Sequence, residues 1–172
     1  MIAVLGRAAG LSLAAVSLAV LASGAQAAEV ERIEVVDKGI YEIVTGEATA
    51  DPNAPTNVIT AVDSEKLVEA TDKIAARLGL EFGFRYLLVG APAGEEVSLD
   101  MVYTYPTPGM KDPAEAEPFL ETRYSRDKTI GDTIYLGYGF EADWEIVPGV
   151  WTFAIWHDGT KLAEESFTVS GP

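Results

Sequence analysis

Apolar side chains fall at every second position from Leu80 to Leu88. Leu80, Phe82, Phe84, Tyr86 and Leu88 lie on one face, with Glu81, Gly83, Arg85 and Leu87 on the other. That is the period of a strand with one buried side. After Gly90-Ala91-Pro92-Ala93-Gly94 the pattern repeats, with Val97, Leu99, Met101, Tyr103 and Tyr105 set against Ser98, Asp100, Val102 and Thr104. The two runs predict consecutive antiparallel strands. Thr133 to Phe140 predicts a further strand, with Ile134, Leu136, Tyr138 and Phe140 on one side, and Phe119 to Tyr124 another. Ile33 to Val44 reads as the first strand, interrupted at Gly39, and Thr45 to Asn57, with Pro52 and Pro55, as a loop. Pro106 to Pro118, with four prolines and Gly109, predicts a long structured loop.

Residues 64 to 78 fit two templates. Ser64 is placed to cap a helix with Leu67, Ala70, Thr71, Ile74 and Leu78 at helical spacing and Gly79 as its stop. Val58 to Val62 and Leu67-Val68 equally fit strand pieces around a polar turn. The C-terminal hairpin is clearer. Trp151, Phe153 and Ile155 alternate with Thr152, Ala154 and Trp156, Asp158-Gly159 supplies a two-residue turn, and Leu162, Phe167 and Val169 return. Counting from the turn sets Ile155 opposite Leu162 and Trp156 opposite Lys161, but leaves Trp151 facing Ser166 instead of Phe167. One extra residue has to be absorbed, and a β-bulge is predicted near Glu164-Glu165. Trp151, Phe153, Ile155, Phe167, Phe82 and Phe84 are the predicted core.

Several short strands separated by turns, with no internal repeat and no βα alternation, predict an all-β, antiparallel immunoglobulin-like β-sandwich, with one short helix near 64–78 as the open alternative there. A small closed barrel is the competing architecture.

The first residues change the picture of where such a domain works. Between Met1 and Ala28 the only charge is Arg7, followed by an Ala/Leu/Val run and Ser23-Gly24-Ala25-Gln26-Ala27. This is the order of a signal peptide, 1–27, with cleavage before a single domain, 28–172. The competing reading is a retained membrane anchor, since the uncharged stretch is about long enough to cross roughly 30 Å of hydrocarbon; its many small residues and few leucines favour cleavage. Export predicts a periplasmic or secreted protein with no stable membrane insertion after cleavage. Loss of Arg7 takes the net charge from -15 to -16. Such acidity opposes nucleic-acid and anionic-lipid partners, which need Lys and Arg against phosphates, and keeps an exported protein soluble. There is no cysteine; a chain of this length buries a core without disulfides.

Arg77-Leu78-Gly79 with Phe82-Gly83-Phe84-Arg85-Tyr86, then Pro106-Thr107-Pro108-Gly109, then the block from Trp144 to Trp156 with Lys161-Leu162-Ala163-Glu164 and Ser166-Phe167-Thr168-Val169, resemble the bacterial domain-of-unknown-function 3859 family over about Ile33 to Val169. The resemblance implies a bacterial, exported, compact domain. It brings no activity, ligand or catalytic residue.

The chemistry of the residues points away from most catalysis. Nucleophilic catalysis needs a base held by a third group, and the single histidine, His157, stands at a hairpin tip. No Gly-x-Ser-x-Gly elbow occurs. One histidine and no cysteine make a zinc or haem site unexpected, and no cofactor is predicted. Glycoside hydrolysis needs two carboxylates across a cleft, whereas the acidic residues fall mainly on polar strand faces and loops. Asp112, Glu115 and Glu117 are candidate calcium ligands, but their spacing matches no loop motif. Gly137-Tyr138-Gly139-Phe140 has no helix after it and reads as close strand packing, not a phosphate cradle.

A non-catalytic exported interaction module, with an unknown envelope protein or ligand as partner, is therefore predicted. The alternative is a small-ligand or carbohydrate-binding domain, which needs aromatic side chains lining a concave surface. Two carboxylates with raised pKa values in a cleft would instead point to an enzyme. Trp156 is the one candidate contact residue, together with Lys161. Its parity is opposite to Trp151, Phe153 and Ile155, so it faces outward, where the Lys161 stem and ammonium can cover the indole.

Overall fold

The computed structural model describes residues 27–52, 58–114 and 116–171. The predicted signal peptide lies almost entirely outside the described residues, as does Glu115. Among the described residues no helix is long and apolar enough to cross a membrane.

Nine strands among the described residues form two sheets. In chain order they are β1 (Glu29–Ala50), β2 (Val58–Ala70), β3 (Lys73–Ala75), β4 (Glu81–Ala91), β5 (Glu96–Thr104), β6 (Glu121–Thr129), β7 (Thr133–Gly139), β8 (Gly149–His157) and β9 (Thr160–Ser170), with a 3-10 turn at Asp143–Glu145. One sheet has the order β2-β1-β4-β7 and the other β3-β9-β8-β5-β6. These pairings are antiparallel except β3 with β9.

The predicted core is buried throughout. Phe82, Phe84, Trp151, Phe153, Ile155 and Phe167 are each 0% exposed. Phe82 is the hub, with ring centroids 5.3 Å from Phe140, Phe153 and Phe167 and 5.8 Å from Trp151. Four aromatic neighbours in offset or edge-on contact add to the area they bury. The Trp151 indole N–H donates to Val147 O at 2.8 Å, so the largest core side chain carries no unpaired polar atom.

One open alternative is settled and three expectations are corrected. The stretch 64–78 holds no helix: Ser64 sits inside β2, paired with Val44, and Leu78 is 52% exposed. Burial there alternates with period two, with Ile74 and Ala76 inward. The long ladder to β1 and the β-branched run Val58-Ile59-Thr60 outweigh the helical spacing. The first strand is longer than expected, reaching Ala50 in place of Val44, so much of the expected Thr45–Asn57 loop is ladder. Consecutive strands β4 and β5 do not pair: β4 lies between β1 and β7, β5 between β8 and β6. Their apolar faces meet across the sandwich, and the intervening turn changes sheets, held by Gly94 N–H to Ile130 O at 2.9 Å. Finally, the hairpin bulge exists but falls at Leu162. His157 pairs with Thr160 and Trp156 with Lys161, then Ile155 faces Ala163, not Leu162, and Trp151 faces Phe167. Asp158 and Gly159 both have positive φ, 47° and 76°, a primed turn whose twist closes the ladder tightly and pushes the extra residue next to it.

The β1–β2 ribbon bridges the two sheets. Up to Tyr41, β1 pairs with β4; from Gly39 onward it pairs with β2, with register shifts at Ile40/Tyr41 and Val44/Thr45 that bend the strand. The far half of the ribbon thereby leaves its sheet and reaches the other one. There Asp51, only 8% exposed, pairs with Arg126 of β6 at 3.0 Å.

Candidate ligand-binding cleft

Strands β6 and β7 each form one edge of their sheets. Between them, roofed by the ribbon, lies a cleft of about 620 Å³. Its position follows from the strand faces. The inward positions of β6 are Thr122, Tyr124, Arg126 and Lys128, too polar to seal a core. Five of the seven tyrosines line the cleft: Tyr103, Tyr105, Tyr124, Tyr135 and Tyr138.

A tyrosine hydroxyl, not a ladder, joins the two sheets here. Tyr103 OH donates to Gly137 O of β7 at 3.1 Å and lies 3.0 Å from Tyr124 OH of β6. The Tyr103 and Tyr124 rings stack at 5.9 Å. Tyr105 OH donates to Thr122 Oγ1 at 3.0 Å. Burial pushes all five phenols above their ordinary value, so they stay neutral donors at neutral pH.

The far wall is the outer face of β4 and β7. Gly137 and Gly139 leave room that neighbours fill. A Cβ at Gly137 would collide with the Tyr135 hydroxyl, and one at Gly139 with the Glu81 carboxylate. Tyr41 packs its ring 4.8 Å from Tyr135 and faces Glu81 across the ladder. The Tyr135 hydroxyl is shut off from solvent yet has no hydrogen-bond partner among the described residues. Burial, reinforced by the nearby Glu141, raises the Glu81 carboxyl from 4.5 to about 7. Beside this wall, Arg85 makes a two-pronged pair with Asp37, Nε to Oδ1 being 2.9 Å, and holds the Asp37 carboxyl below its ordinary value. Glu65 lies 4.0 Å from the same guanidinium. At the opposite end, burial, and then Arg126, lowers the Lys128 ammonium.

One carboxyl lining the cleft, Glu81, has a raised pKa. Glu145, also raised by burial, accepts the Glu141 N–H at 2.6 Å through Oε2 and does not line the cleft. Among the described residues no group of three His, Asp or Glu side chains is arranged to hold a metal ion.

Trp156 lies on the outer face of the other sheet. It is half-buried, with Lys161 Nζ 5.8 Å and the Arg123 guanidinium 5.5 Å from the ring. The lysine cover predicted from the hairpin register is present, and Arg123, reaching over β5 from β6, adds a second cation. The indole N–H is buried with no partner among the described residues. His157 Nδ1 lies 2.9 Å from Ser98 O, which ties the hairpin tip to β5.

Sequence reasoning does not single out the cleft residues. The one signal present is the alternation Tyr135-Leu136-Gly137-Tyr138-Gly139, in which glycines take the outward positions of a strand; the structure shows what fills the space they leave.

Two sheets packed face to face, with β4 and β5 consecutive in the chain but in opposite sheets, define an immunoglobulin-like sandwich. An immunoglobulin-like protein from Pseudomonas aeruginosa is similar, with a TM-score of 0.57 and 25% identity over 86% of this chain and 100% of its own. Residues 29–169 match the family described as Domain of unknown function (DUF3859), and the chain belongs to that family. No curated protein matches the chain.

Proposed function

We propose that the mature domain is a non-catalytic, exported bacterial binding module that holds a small ligand in the tyrosine-lined cleft between β6 and β7. The observation that carries this reading is the Tyr135 hydroxyl, buried in the cleft wall without a partner among the described residues. Leaving a buried hydroxyl unpaired costs about 1 to 3 kcal/mol, a cost that a ligand filling the cleft removes. Aromatic side chains around a concave surface, with a few polar groups at its ends, are what a small-molecule site requires. The outer face of the second sheet supports a contact patch less well, because two cations already cover Trp156. The order of charged, apolar and small residues at the N-terminus supports export.

The test is ligand retention. The domain from Ala28 is incubated with a small-molecule extract of the envelope, washed by ultrafiltration and analysed by mass spectrometry beside Thr133→Trp, which places an indole at the cleft mouth from an exposed position. A compound kept by the native domain and lost from the variant supports the reading. Identical retention by both contradicts it.

A further inference from the structure

Resting on the cleft being a ligand site, we propose that its β4–β7 wall recognises a primary ammonium group, the end of an alkylamine or of a lysine side chain. Two acceptors converge there. The Glu81 carboxylate occupies the space over Gly139 and the Tyr135 hydroxyl the space over Gly137. Residues two apart on a strand are separated by about 7 Å, so one nitrogen seated midway lies about 3.5 Å from each group, and a small turn of either side chain toward it makes the hydrogen bonds. The carboxylate has no ion-pair or hydrogen-bond partner among the described residues, and the Glu141 carboxylate is near enough to act on it. Arg85, on the same face of β4, is already committed to Asp37 and Glu65, and Arg77, which lines a neighbouring recess with Glu81, makes no ion pair with it among the described residues.

The donor count selects the ligand. An ammonium carries three donors and no acceptor, which suits a site made of carboxylate oxygens and a phenol oxygen and lacking a free donor other than the phenol itself. A compact charge beside the Tyr41–Tyr135 ring pair gains cation–π attraction as well. The cationic end of the cleft, Arg126 and Lys128, lies on β6, away from this wall. A ligand ammonium is therefore directed to Glu81.

The experiment is calorimetric titration of the domain from Ala28 at about pH 8, where Glu81 is ionised. The probes are cadaverine, Nα-acetyl-lysine methylamide and, as the uncharged counterpart, 1,5-pentanediol. Both amines are expected to bind and the diol not. Glu81→Gln should weaken amine binding at least tenfold, and Tyr135→Phe several-fold, with both variants keeping the native far-UV spectrum. Stronger binding of cadaverine than of the lysine derivative assigns the ammonium to a free amine, and the reverse order to a side chain. Equal binding of the diol, blocked by Thr133→Trp, would overturn the ammonium assignment while leaving the cleft as a ligand site. Amine binding unchanged in Glu81→Gln would overturn it too, marking general attraction to an acidic surface. Binding of calcium in place of the amines, competing at Glu81, would replace it by a metal site.

Discussion

The Tyr103 hydroxyl donates to the Gly137 carbonyl across the gap between the two sheets, at 3.1 Å. Tyr103 is a core residue of β5, 5% exposed, and Gly137 belongs to the free edge of β7. A carbonyl that would otherwise wait for another strand is thereby satisfied from inside the sandwich. This is one way a sheet edge is kept from pairing with another chain. It also sets the width of the cleft, because Tyr124 of β6 bonds to the same hydroxyl.

Replacing Tyr103 with Phe tests that stitch. The ring and its contact with Phe153, 4.7 Å between centroids, are kept, while Gly137 O and Tyr124 OH each lose a partner. The expected cost is about 1 to 3 kcal/mol, read from the urea midpoint at constant slope. Amide exchange should quicken along β7 more than along β8.

Core packing is tested at Trp151. It is fully buried and touches Phe82, Tyr105, Tyr138 and Phe140. Truncation to Ala should cost roughly 3 to 5 kcal/mol, the range for large aromatic deletions. A change below about 1 kcal/mol would mean that Trp151 does not hold the core together.

Trp156 should behave differently although it is one strand position from the core. Its Ala variant loses two cation–π contacts of about 0.5 to 1 kcal/mol each and some covered area. A total of about 1 to 2 kcal/mol is expected in urea titration, with ligand retention by the cleft unchanged. Loss of retention with stability intact would move the binding site to this face and to Lys161.

Glu81 makes stability depend on pH with a definite sign. Its carboxyl is raised from 4.5 to about 7 in the folded state, so between these values the folded protein holds a proton the unfolded chain has released. Its contribution therefore falls as pH rises from 4.5 to about 7 and is constant above. The groups around it are Tyr41, Tyr135 and Glu141, with Glu65 lining the same cleft, Arg77 lining a neighbouring recess and Arg85 engaged with Asp37. Asp37 acts oppositely: its carboxyl is depressed by Arg85, and its stabilisation is lost only as pH falls below 3.8. Denaturant midpoints of the native domain should decline from about pH 5 to about pH 7, and Glu81→Gln should flatten that decline by on the order of 1 to 2 kcal/mol. An unchanged slope in the variant would show Glu81 to be solvated.

The legible part of this fold is the local part. Alternation assigns the buried face of β4, β5 and β8, because strand parity needs no partner to be counted. Turn arithmetic sets Trp156 opposite Lys161, two residues from Asp158-Gly159. The same arithmetic does not single out Leu162 as the bulge, since any point between Leu162 and Phe167 absorbs one residue equally well on paper. Parity shows which face is buried but not against which neighbour, so the separation of β4 and β5 into opposite sheets leaves no mark in either run. Ser125-Arg126-Asp127-Lys128 escapes the strand pattern because the inward side chains of an edge strand over a cleft are polar. The cleft joins Ile43 of β1, Val62 of β2, Thr122 and Lys128 of β6, Thr133 of β7 and Glu141, and no single stretch of sequence contains it.

Whether the cleft is the binding site can be decided by an amide NMR titration of the domain from Ala28 against a set of small amines, monosaccharides and dipeptides. Any specific binder is expected to shift Tyr135, Gly137 and Gly139 together with Ile43, Thr45 and Thr60 on the ribbon opposite, and Thr133→Trp to abolish the shifts. Shifts confined to Trp156, Lys161 and Arg123, with the cleft resonances unmoved, would show that the ligand binds elsewhere.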